Sequence, residues 1–364
     1  MPSSSVSSNP MPPLALLYRH PLLRALTLTL TCLLAACSRG DDPVYRDQFF
    51  AFGTLIDLSF YDVETARAEQ ASQALEQAFT QMHTDWHAWQ PGALQQVNAR
   101  LAEQGQATGD PAIAALIQEA NRLSLLSNGL FNPVIGRLVA LWGFHSDEPP
   151  QGPPPAGERI RQLVEQAPTS ADVHVDGLQI SGHNPAVRYD LGAFAKGYAI
   201  DRGIQQLREL GITNAIINAG GDLRGIGRHG ERPWRIGIRD PRKPGVLAAV
   251  ELAADESVFT SGDYERFYEY EGQRYHHIID PRSGYPASAT VSATVIHPLA
   301  ATADAAATAL FVAGPDDWPA IARQLGVGYV MLVDREGRIH MNPAMKARLV
   351  FESEPDTIVM SDAL

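Results

Sequence analysis

The 364-residue chain lacks several features that would point to common classes of protein. It has only two cysteines, Cys32 and Cys37, both near the N-terminus. The rest of the chain therefore has no disulfide framework and must rely on a large hydrophobic core. No run of Lys or Arg occurs and the net charge is −12, so nucleic acid is not expected as a partner. An acidic chain that binds an anionic ligand would need a local device, such as a metal ion or helix N-termini.

Long hydrophobic runs are also missing. The apolar run from Ala25 to Ala36 follows Arg19, His20 and Arg24. It is too short to span a bilayer as a helix and is typical of an export signal. We therefore predict a signal peptide at residues 1–36, although translation could start at Met1 or at Met11.

The signal ends in a sequence, Leu34-Ala35-Ala36-Cys37, that resembles the lipobox of bacterial lipoproteins. In such proteins the cysteine is diacylated and becomes the mature N-terminus. The alternative is an ordinary cleaved signal with an incidental cysteine. We predict lipidation (palmitate) at Cys37 and a lipid-anchored, periplasm-facing protein of the bacterial cell envelope. The next residue is Ser38 and not Asp, so retention in the inner membrane is not signalled.

Helical and strand patterns mix along the rest of the chain without strict βαβ alternation, which favours an α+β fold over a doubly wound sheet. We predict a tether at residues 37–47 and one domain at residues 48–364, with a Pro/Gly-rich surface connection at about 147–157. Helices are predicted through residues 75–86, from the N-cap Asp110-Pro111 to about residue 128, and at 192–211, 302–312 and 317–325. Strands or hairpins are predicted at 49–61 (interrupted at Gly53-Thr54), 215–219, 234–239, 267–279, 290–296 and 329–340.

Asp304 and Thr308 are one helical turn apart and therefore point in the same direction. A carboxylate and a hydroxyl are hard oxygen donors suited to Mg²⁺, which commonly completes its shell with water and phosphate. The alternative is a polar pair on a solvated helix face. The alanines around the pair, Ala305 to Ala307 and Ala309, argue against a solvated face.

Two glycine-containing segments would let a ligand approach the backbone. Asp190-Leu-Gly-Ala-Phe-Ala-Lys-Gly-Tyr198 opens a predicted helix, whose N-terminus favours anions. Its glycine spacing is not that of the dinucleotide fingerprint. Asn218-Ala-Gly-Gly-Asp222 follows a predicted buried strand. Tight helix packing and a simple strand-end turn are the structural alternatives for the two segments.

The adjacent residues His276 and His277 end a predicted strand. Strand alternation sends them to opposite faces, so at most one should face a given site. A neutral histidine near a phosphate ester can act as a general base, whereas the alternative is a histidine with a purely structural role. The following Asp280-Pro-Arg-Ser-Gly284 is typical of a rigid turn.

Taken together, these segments resemble the ApbE family, the FAD:protein FMN transferases. The resemblance covers about residues 49–333 and depends on six motifs in order. They are Phe52-Gly-Thr54, Gly129-Leu-Phe-Asn-Pro133, Asp190-Leu-Gly-Ala-Phe-Ala-Lys-Gly-Tyr-Ala-Ile-Asp201, Asn218-Ala-Gly-Gly-Asp-Leu-Arg224, His277-Ile-Ile-Asp-Pro-Arg-Ser-Gly284 and Ala303-Asp-Ala-Ala-Ala-Thr308.

The resemblance implies a fold, an activity and a set of site residues. The fold would have largely antiparallel sheets flanked by helices, in an ApbE-like (T-fold-like) architecture. FAD would be split at its pyrophosphate, FMN esterified to a threonine of an exported flavoprotein subunit, and AMP released. The acceptor would belong to a redox complex of the Na⁺-translocating NADH:quinone reductase or Rnf type.

The residue roles are likewise implied by the resemblance. Mg²⁺ would be bound by Asp304, Thr308 and the main-chain oxygen of Ala193, and His277 would be the base for the acceptor hydroxyl. FAD would be contacted by Phe52, Trp89, Leu130, Phe131, Asn132, Asp190, Lys196 and Ile279.

The chain departs from the family pattern at several positions. Asn132 stands where the family often has Asp, Phe52 where it usually has Met, and Ser283 where it usually has Thr. The segment from Gln90 to Asn98 is a poor copy of the family's, which affects the expected adenine-side contacts. Two other functions share the same ligands: a metal-dependent FAD pyrophosphatase, and a flavin-binding lipoprotein without turnover.

Overall fold

The computed structural model describes residues 43–146, 148 and 150–364. Cys37 and the predicted signal peptide lie outside these residues. Residues 44–364 form one compact unit, and its first strand begins at Val44, before the domain start predicted at residue 48.

In chain order the strands are β1 (Val44–Ala51), β2 (Thr54–Tyr61), β3 (Gln106–Thr108), β4 (Val173–Asp176), β5 (Gln179–Gly182), β6 (Ala215–Ala219), β7 (Asp222–Ile226), β8 (Arg235–Arg239), β9 (Val246–Glu251), β10 (Asp255–Gly262), β11 (Phe267–Tyr270), β12 (Gln273–His276), β13 (Thr290–His297), β14 (Tyr329–Asp334), β15 (Ile339–Met341), β16 (Leu349–Phe351) and β17 (Ile358–Met360). The helices are α1 (Thr65–Asp85), α2 (Ala93–Gln104), α3 (Pro111–Leu126), α4 (Gly136–Leu141), α5 (Gly157–Glu165), α6 (Ala195–Glu209), α7 (Ala300–Leu325) and α8 (Pro343–Arg348).

A nine-stranded sheet forms the centre of the fold, in the order β1-β2-β6-β7-β10-β13-β14-β15-β17. Neighbouring strands pair antiparallel except β15 and β17, which are parallel. Smaller antiparallel sheets are formed by β11-β12, by β16-β9-β8 and by β3-β5-β4. The fold is therefore mixed α+β with largely antiparallel sheets, as predicted.

The two faces of the main sheet are buried against different layers. In β14, Val330 and Leu332 pack into the larger apolar cluster, which includes α1, α3, α6 and α7. The alternate residues Met331 and Val333 pack into a second cluster with β8, β9 and α8. Side chains of one strand alternate between the two faces, so the sheet is covered on both sides and α7 lies deep in the molecule.

Helix α7 is buried on nearly every side because it packs on β10 and β13 and also against α6 and α3. Its alanines allow this close packing. The sequence predicted two helices here, at 302–312 and 317–325. The structure has two helical segments joined at Gly314, whose φ of 78° interrupts the helical geometry.

Most predicted elements are present, and the differences have local causes. The predicted strand at 49–61 is the β1–β2 hairpin, with Phe52 and Gly53 in the turn, both at positive φ. Helix α3 begins as predicted, since the Asp110 side chain accepts hydrogen bonds from the amides of Ala112 and Ile113. Helices α2, α4, α5 and α8 were not predicted, and none of them begins with a side-chain cap hydrogen bond.

Candidate active site

All the predicted ligand-contacting and metal-ligating residues within the described part of the chain line one cavity of about 520 Å³. They are Phe52, Trp89, Leu130, Phe131, Asn132, Asp190, Ala193, Lys196, His277, Ile279, Asp304 and Thr308. The walls come from turns, from strands β8 and β10, and from helices α6 and α7. We call Lys196, Gly197, Asp222, Asp304 and Thr308 the closed end. We call Phe52, Trp89, Asp190 and residues 130–132 the rim.

The closed end forms where α6 meets α7. The Gly197 amide donates a hydrogen bond of 2.9 Å to Asp304 Oδ2. A side chain at position 197 could not fit, because its Cβ would lie 2.3 Å from the Ala300 carbonyl oxygen and 2.8 Å from the Asp304 Cβ. One turn further along α7, Thr308 Oγ1 lies 3.1 Å from Ser261 Oγ of β10. The glycine therefore lets the two helices approach closely enough for Asp304 to meet the first turn of α6.

Lys196 pairs with one carboxylate of the closed end and is influenced by the charge of the other. Its ammonium group pairs with Asp222, whose other oxygen accepts the Thr260 amide at 3.0 Å. Burial alone would lower the pKa of Lys196, but the charges of Asp222 and Asp304 outweigh burial and raise it. Lys196 therefore stays charged among the carboxylates.

Asp304 is 5% exposed. Burial raises its pKa to about 7, with Asp222 adding to the shift and Lys196 opposing it. A buried carboxylate with such a pKa is an incompletely compensated charge. A further cation beside Asp304 would stabilise its ionised form.

The oxygen atoms near Asp304 are suited to a hard divalent cation. The Asp304 carboxylate, the Thr308 hydroxyl and the Ala193 main-chain carbonyl are oxygen donors of three residues that line the same cavity. Among the described residues no backbone N–H outside regular elements donates to the Ala193 carbonyl, and the Gly197 amide bonds to Asp304 instead. The described residues contain no cluster of three or more His, Cys, Asp or Glu side chains that could hold a metal ion by itself. A cation here would therefore take part of its shell from water or a ligand, as Mg²⁺ commonly does.

A buried ionic network fixes the N-terminus of α7. The Asp201 carboxylate accepts the Ala300 and Ala301 amides at 2.8 and 2.9 Å and pairs with Arg224 at 2.5 Å. Arg224 also binds Asp255. Burial raises the pKa of Asp201, whereas the two amides and Arg224 oppose the shift. This network sets the start of the helix that carries Asp304.

The rim is mainly aromatic. The Trp89 indole N–H donates to Asp190 Oδ2 at 2.9 Å, and the Arg188 guanidinium lies 3.8 Å from the centroid of the Trp89 ring. Phe52 packs against Trp86 at a ring distance of 6.0 Å. The Asp190 carboxylate also accepts the Gly192 amide at 3.0 Å. Asp190 therefore orients both the indole ring and the turn that leads into α6.

The turn at residues 130–132 is held by Ser127, whose side-chain oxygen accepts the Phe131 amide at 3.1 Å, and by Asn132. The Asn132 side-chain amide donates to the Pro168 carbonyl at 3.0 Å, and its side-chain oxygen accepts the Val134 amide at 3.0 Å. Both bonds are within the protein. In this structure Asn132 shapes the rim by holding the turn.

The two adjacent histidines face different surroundings, as strand alternation predicted. His276 is buried; its Nε2 lies 2.8 Å from the Ala287 carbonyl oxygen, and its Nδ1 accepts the Ile278 amide. His277 lines the cavity, with Nδ1 3.2 Å from the Arg266 carbonyl oxygen. Burial, with Arg266 next in importance, lowers the pKa of His277. The ring is therefore neutral near pH 7, which is the form that accepts a proton.

Several cavity residues were not among the predicted site residues. Asp222 was quoted only as part of a turn, although it holds Lys196. The position of Asp222 at the end of Asn218-Ala-Gly-Gly-Asp222 was the available signal. Further examples are Arg239, Thr260, Ser261, Tyr264 and Glu265, which lie in strands and turns whose place beside the cavity has no local sequence signal.

Comparisons with known proteins show which family this chain is similar to. The model of the ApbE family matches residues 52–331. An FAD:protein FMN transferase of Rhodobacter capsulatus is 44% identical over 307 residues, which are 84% of this chain and 58% of that protein. One of Treponema pallidum is 33% identical over 316 residues, 80% of this chain and 85% of that protein.

Two solved structures have a similar fold. The ApbE protein of Thermotoga maritima is 31% identical, with a TM-score of 0.77 over 85% of this chain and 100% of that one. The apo flavinyl transferase ApbE of Pseudomonas stutzeri is 27% identical, with a TM-score of 0.73 over 85% of this chain and 98% of that one. The chain therefore belongs to the ApbE family.

Proposed function

We propose that this protein transfers FMN from FAD to a threonine hydroxyl of a target flavoprotein and releases AMP, with Mg²⁺ as cofactor. The observation that carries the proposal is the cavity itself, which has a charged closed end and an aromatic rim. The charged groups of the closed end suit a diphosphate, and the aromatic side chains of the rim suit a flat heterocycle. The names of the relatives from Rhodobacter and Treponema support the same reaction.

The donor set at the closed end fits Mg²⁺, which would be held by Asp304, Thr308 and the Ala193 carbonyl. When bound, the ion would stabilise negative charge that develops on the diphosphate oxygens. Its charge would also offset the burial that raises the pKa of Asp304. Lys196 contributes a second positive charge to the same end.

The chain's own residues then position the reactants. In the reaction the acceptor oxygen forms a bond to the FMN phosphorus, and the bond from that phosphorus to the bridging oxygen breaks. AMP leaves with the bridging oxygen. His277 takes the hydroxyl proton on the ring nitrogen Nε2, because Nδ1 faces the Arg266 carbonyl. Its lowered pKa keeps the ring neutral before the transfer.

We also propose that the protein is lipidated at Cys37 and faces the periplasm of a bacterial cell. The signal sequence before Cys37 supports this location. Within the described residues, no helix combines the length and apolar character that crossing a membrane requires. The acceptor would then be an exported flavoprotein subunit, of the Na⁺-translocating NADH:quinone reductase or Rnf type.

The test is to incubate the purified protein with FAD, Mg²⁺ and a recombinant flavin-carrying domain of such a subunit. We expect a fluorescent acceptor band in denaturing gels and equal amounts of AMP and bound FMN. Free FMN without a labelled band would indicate an FAD pyrophosphatase instead. Flavin binding without AMP release would indicate a flavin carrier without turnover, and either outcome rejects the transferase.

A further inference from the structure

Within the part of the chain that the structure describes, strand β8 has one edge without a neighbouring strand, and residues of this strand line the cavity. In the sheet β16-β9-β8, β8 is an outer strand, and β9 is its one partner among the described strands. Four consecutive residues, Ile236 to Arg239, line the cavity. Side chains of a strand alternate in direction, so a cavity reached by four residues in a row runs beside the backbone.

The backbone groups on this edge point away from β9. Leu252 donates its amide to the Trp234 carbonyl, and Asp240 donates its amide to Gly245. Antiparallel pairs alternate between bonded and non-bonded positions, so the even-numbered residues of β8 bond to β9. The N–H and C=O groups of Arg235, Gly237 and Arg239 therefore face outward. Among the residues that the structure describes, no hydrogen bond to these outward groups is found outside the β8–β9 pairing.

We propose that the flavin-accepting segment of the target protein binds here in extended form, as an added strand antiparallel or parallel to β8. This inference rests on the proposed function and adds the manner in which the acceptor binds. An unpaired strand edge is a template for another strand, and peptide recognition by strand addition uses such edges. A segment on β8 would run along the cavity wall, with alternate side chains available to point toward the flavin phosphate.

The side chains of β8 favour a foreign segment over a second copy of this chain. Gly237 lies at the centre of the edge and has no side chain to obstruct a partner. Two copies joined through β8 by a two-fold axis would pair antiparallel. With Gly237 at the centre, Arg235 of one copy would lie opposite Arg239 of the other. Like charges directly opposite each other destabilise a strand pair.

The test compares Gly237→Pro with Gly237→Ala in the complete protein. Both variants introduce a Cβ, which would lie 3.1 Å from Val246 Cγ2, but only Pro removes the outward N–H. The probe is the recombinant flavin-carrying domain of a Na⁺-translocating NADH:quinone reductase subunit. We expect the acceptor KM of the Pro variant to be about tenfold higher than that of the Ala variant, from one lost hydrogen bond and altered strand fit. The melting temperature of both variants is measured alongside, so that a loss of stability is distinguished from a loss of acceptor binding.

Arg235→Pro and Arg235→Ala repeat the comparison at a position outside the cavity lining, and the same direction of change is expected. In the wild type, the probe should slow hydrogen exchange of the Gly237 amide.

Three outcomes would overturn the proposal. The first is an equal acceptor KM in the Pro and Ala variants of both pairs. The second is a change in the dimerisation of the protein without a change in acceptor KM, which would make β8 an interface between copies. The third is full protection of the Gly237 amide in the complete chain before the probe is added, which would mean that the chain covers its own edge. If the wild type itself labels no acceptor, the proposed function fails instead.

Discussion

The closed end and the rim of the cavity are built in different ways. At the closed end, helices α6 and α7 cross at Gly197, and Asp304 is buried against the Gly197 amide. At the rim, Phe52, Trp89 and residues 130–132 lie in turns and connecting segments. Elements that pack on a central sheet hold their side chains rigidly, whereas turns tolerate substitution and movement. From this difference we propose that the closed end carries the chemistry and that the rim determines how the ligand fits.

A variant of Asp304 is expected to have the largest effect and tests whether the closed end carries the chemistry. We expect Asp304→Asn to lower FAD turnover by about 10²- to 10³-fold, the range seen when one preorganised electrostatic contact is lost. The asparagine oxygen can still accept the Gly197 amide, so the melting temperature should change little. AMP release from FAD measures the effect. A variant with wild-type turnover would remove Asp304 from the reaction.

A variant of His277 tests whether the residue that accepts the proton acts independently of the closed end and of the rim. We expect His277→Ala to slow transfer to the acceptor by about 10²-fold, the usual contribution of a general base. FAD affinity should stay near the wild-type value, since the closed end and the rim are unchanged. His276→Gln is the matched control, because a buried amide can replace the bond to the Ala287 carbonyl. Equal losses in the two variants would contradict the assignment.

The Asp201 network tests what keeps the closed end rigid. Asp201→Ala removes the acceptor of two α7 amides and one partner of the buried Arg224. We expect the free energy of unfolding to fall by about 3 kcal/mol, as when a buried ion pair is broken. Asp255→Ala is the milder control, because the Asp255 side chain is 40% exposed. Urea denaturation measures both variants, and a smaller loss for Asp201→Ala than for Asp255→Ala would refute this account.

Trp89 tests the rim and should have the smallest effect. Trp89→Phe keeps an aromatic face but removes the indole N–H that donates to Asp190. We expect the Kd for FAD to rise by about fivefold, the equivalent of one hydrogen bond of about 1 kcal/mol. Turnover at saturating FAD should be unchanged. A large fall in turnover with little change in Kd would mean that the rim also takes part in the chemistry.

The elements that could be predicted from the sequence carry their own local signals. Helix α3 has its Asp110-Pro111 start, and the β11–β12 hairpin has its Glu271-Gly272 turn. Helix α2 begins at Ala93 after Gly92, which provides no side-chain cap, and β10 begins with two acidic residues. Neither α2 nor β10 has a helix-start or turn motif of this kind, and neither was predicted.

The site divides in the same way. Asp304 and Thr308 could be paired from helical spacing alone, and His276 and His277 could be separated from strand alternation. Lys196 and Asp222 are 26 positions apart in the chain. Asp222 and Thr260, whose amide it accepts, are 38 positions apart. Such contacts arise only when the sheet is assembled, so no local pattern reveals them. The family resemblance brought Lys196 into the predicted site, and only the folded structure shows its partner.

The most direct test of the account is to measure cation binding by the wild type and by Asp304→Asn, using the paramagnetic resonance of Mn²⁺ as a substitute for Mg²⁺. We expect the wild type to bind one Mn²⁺ more tightly when FAD is present, and Asp304→Asn to lose this binding while still binding FAD. Equal Mn²⁺ binding by the two proteins, or binding unaffected by FAD, would contradict a cation held between Asp304 and the flavin diphosphate.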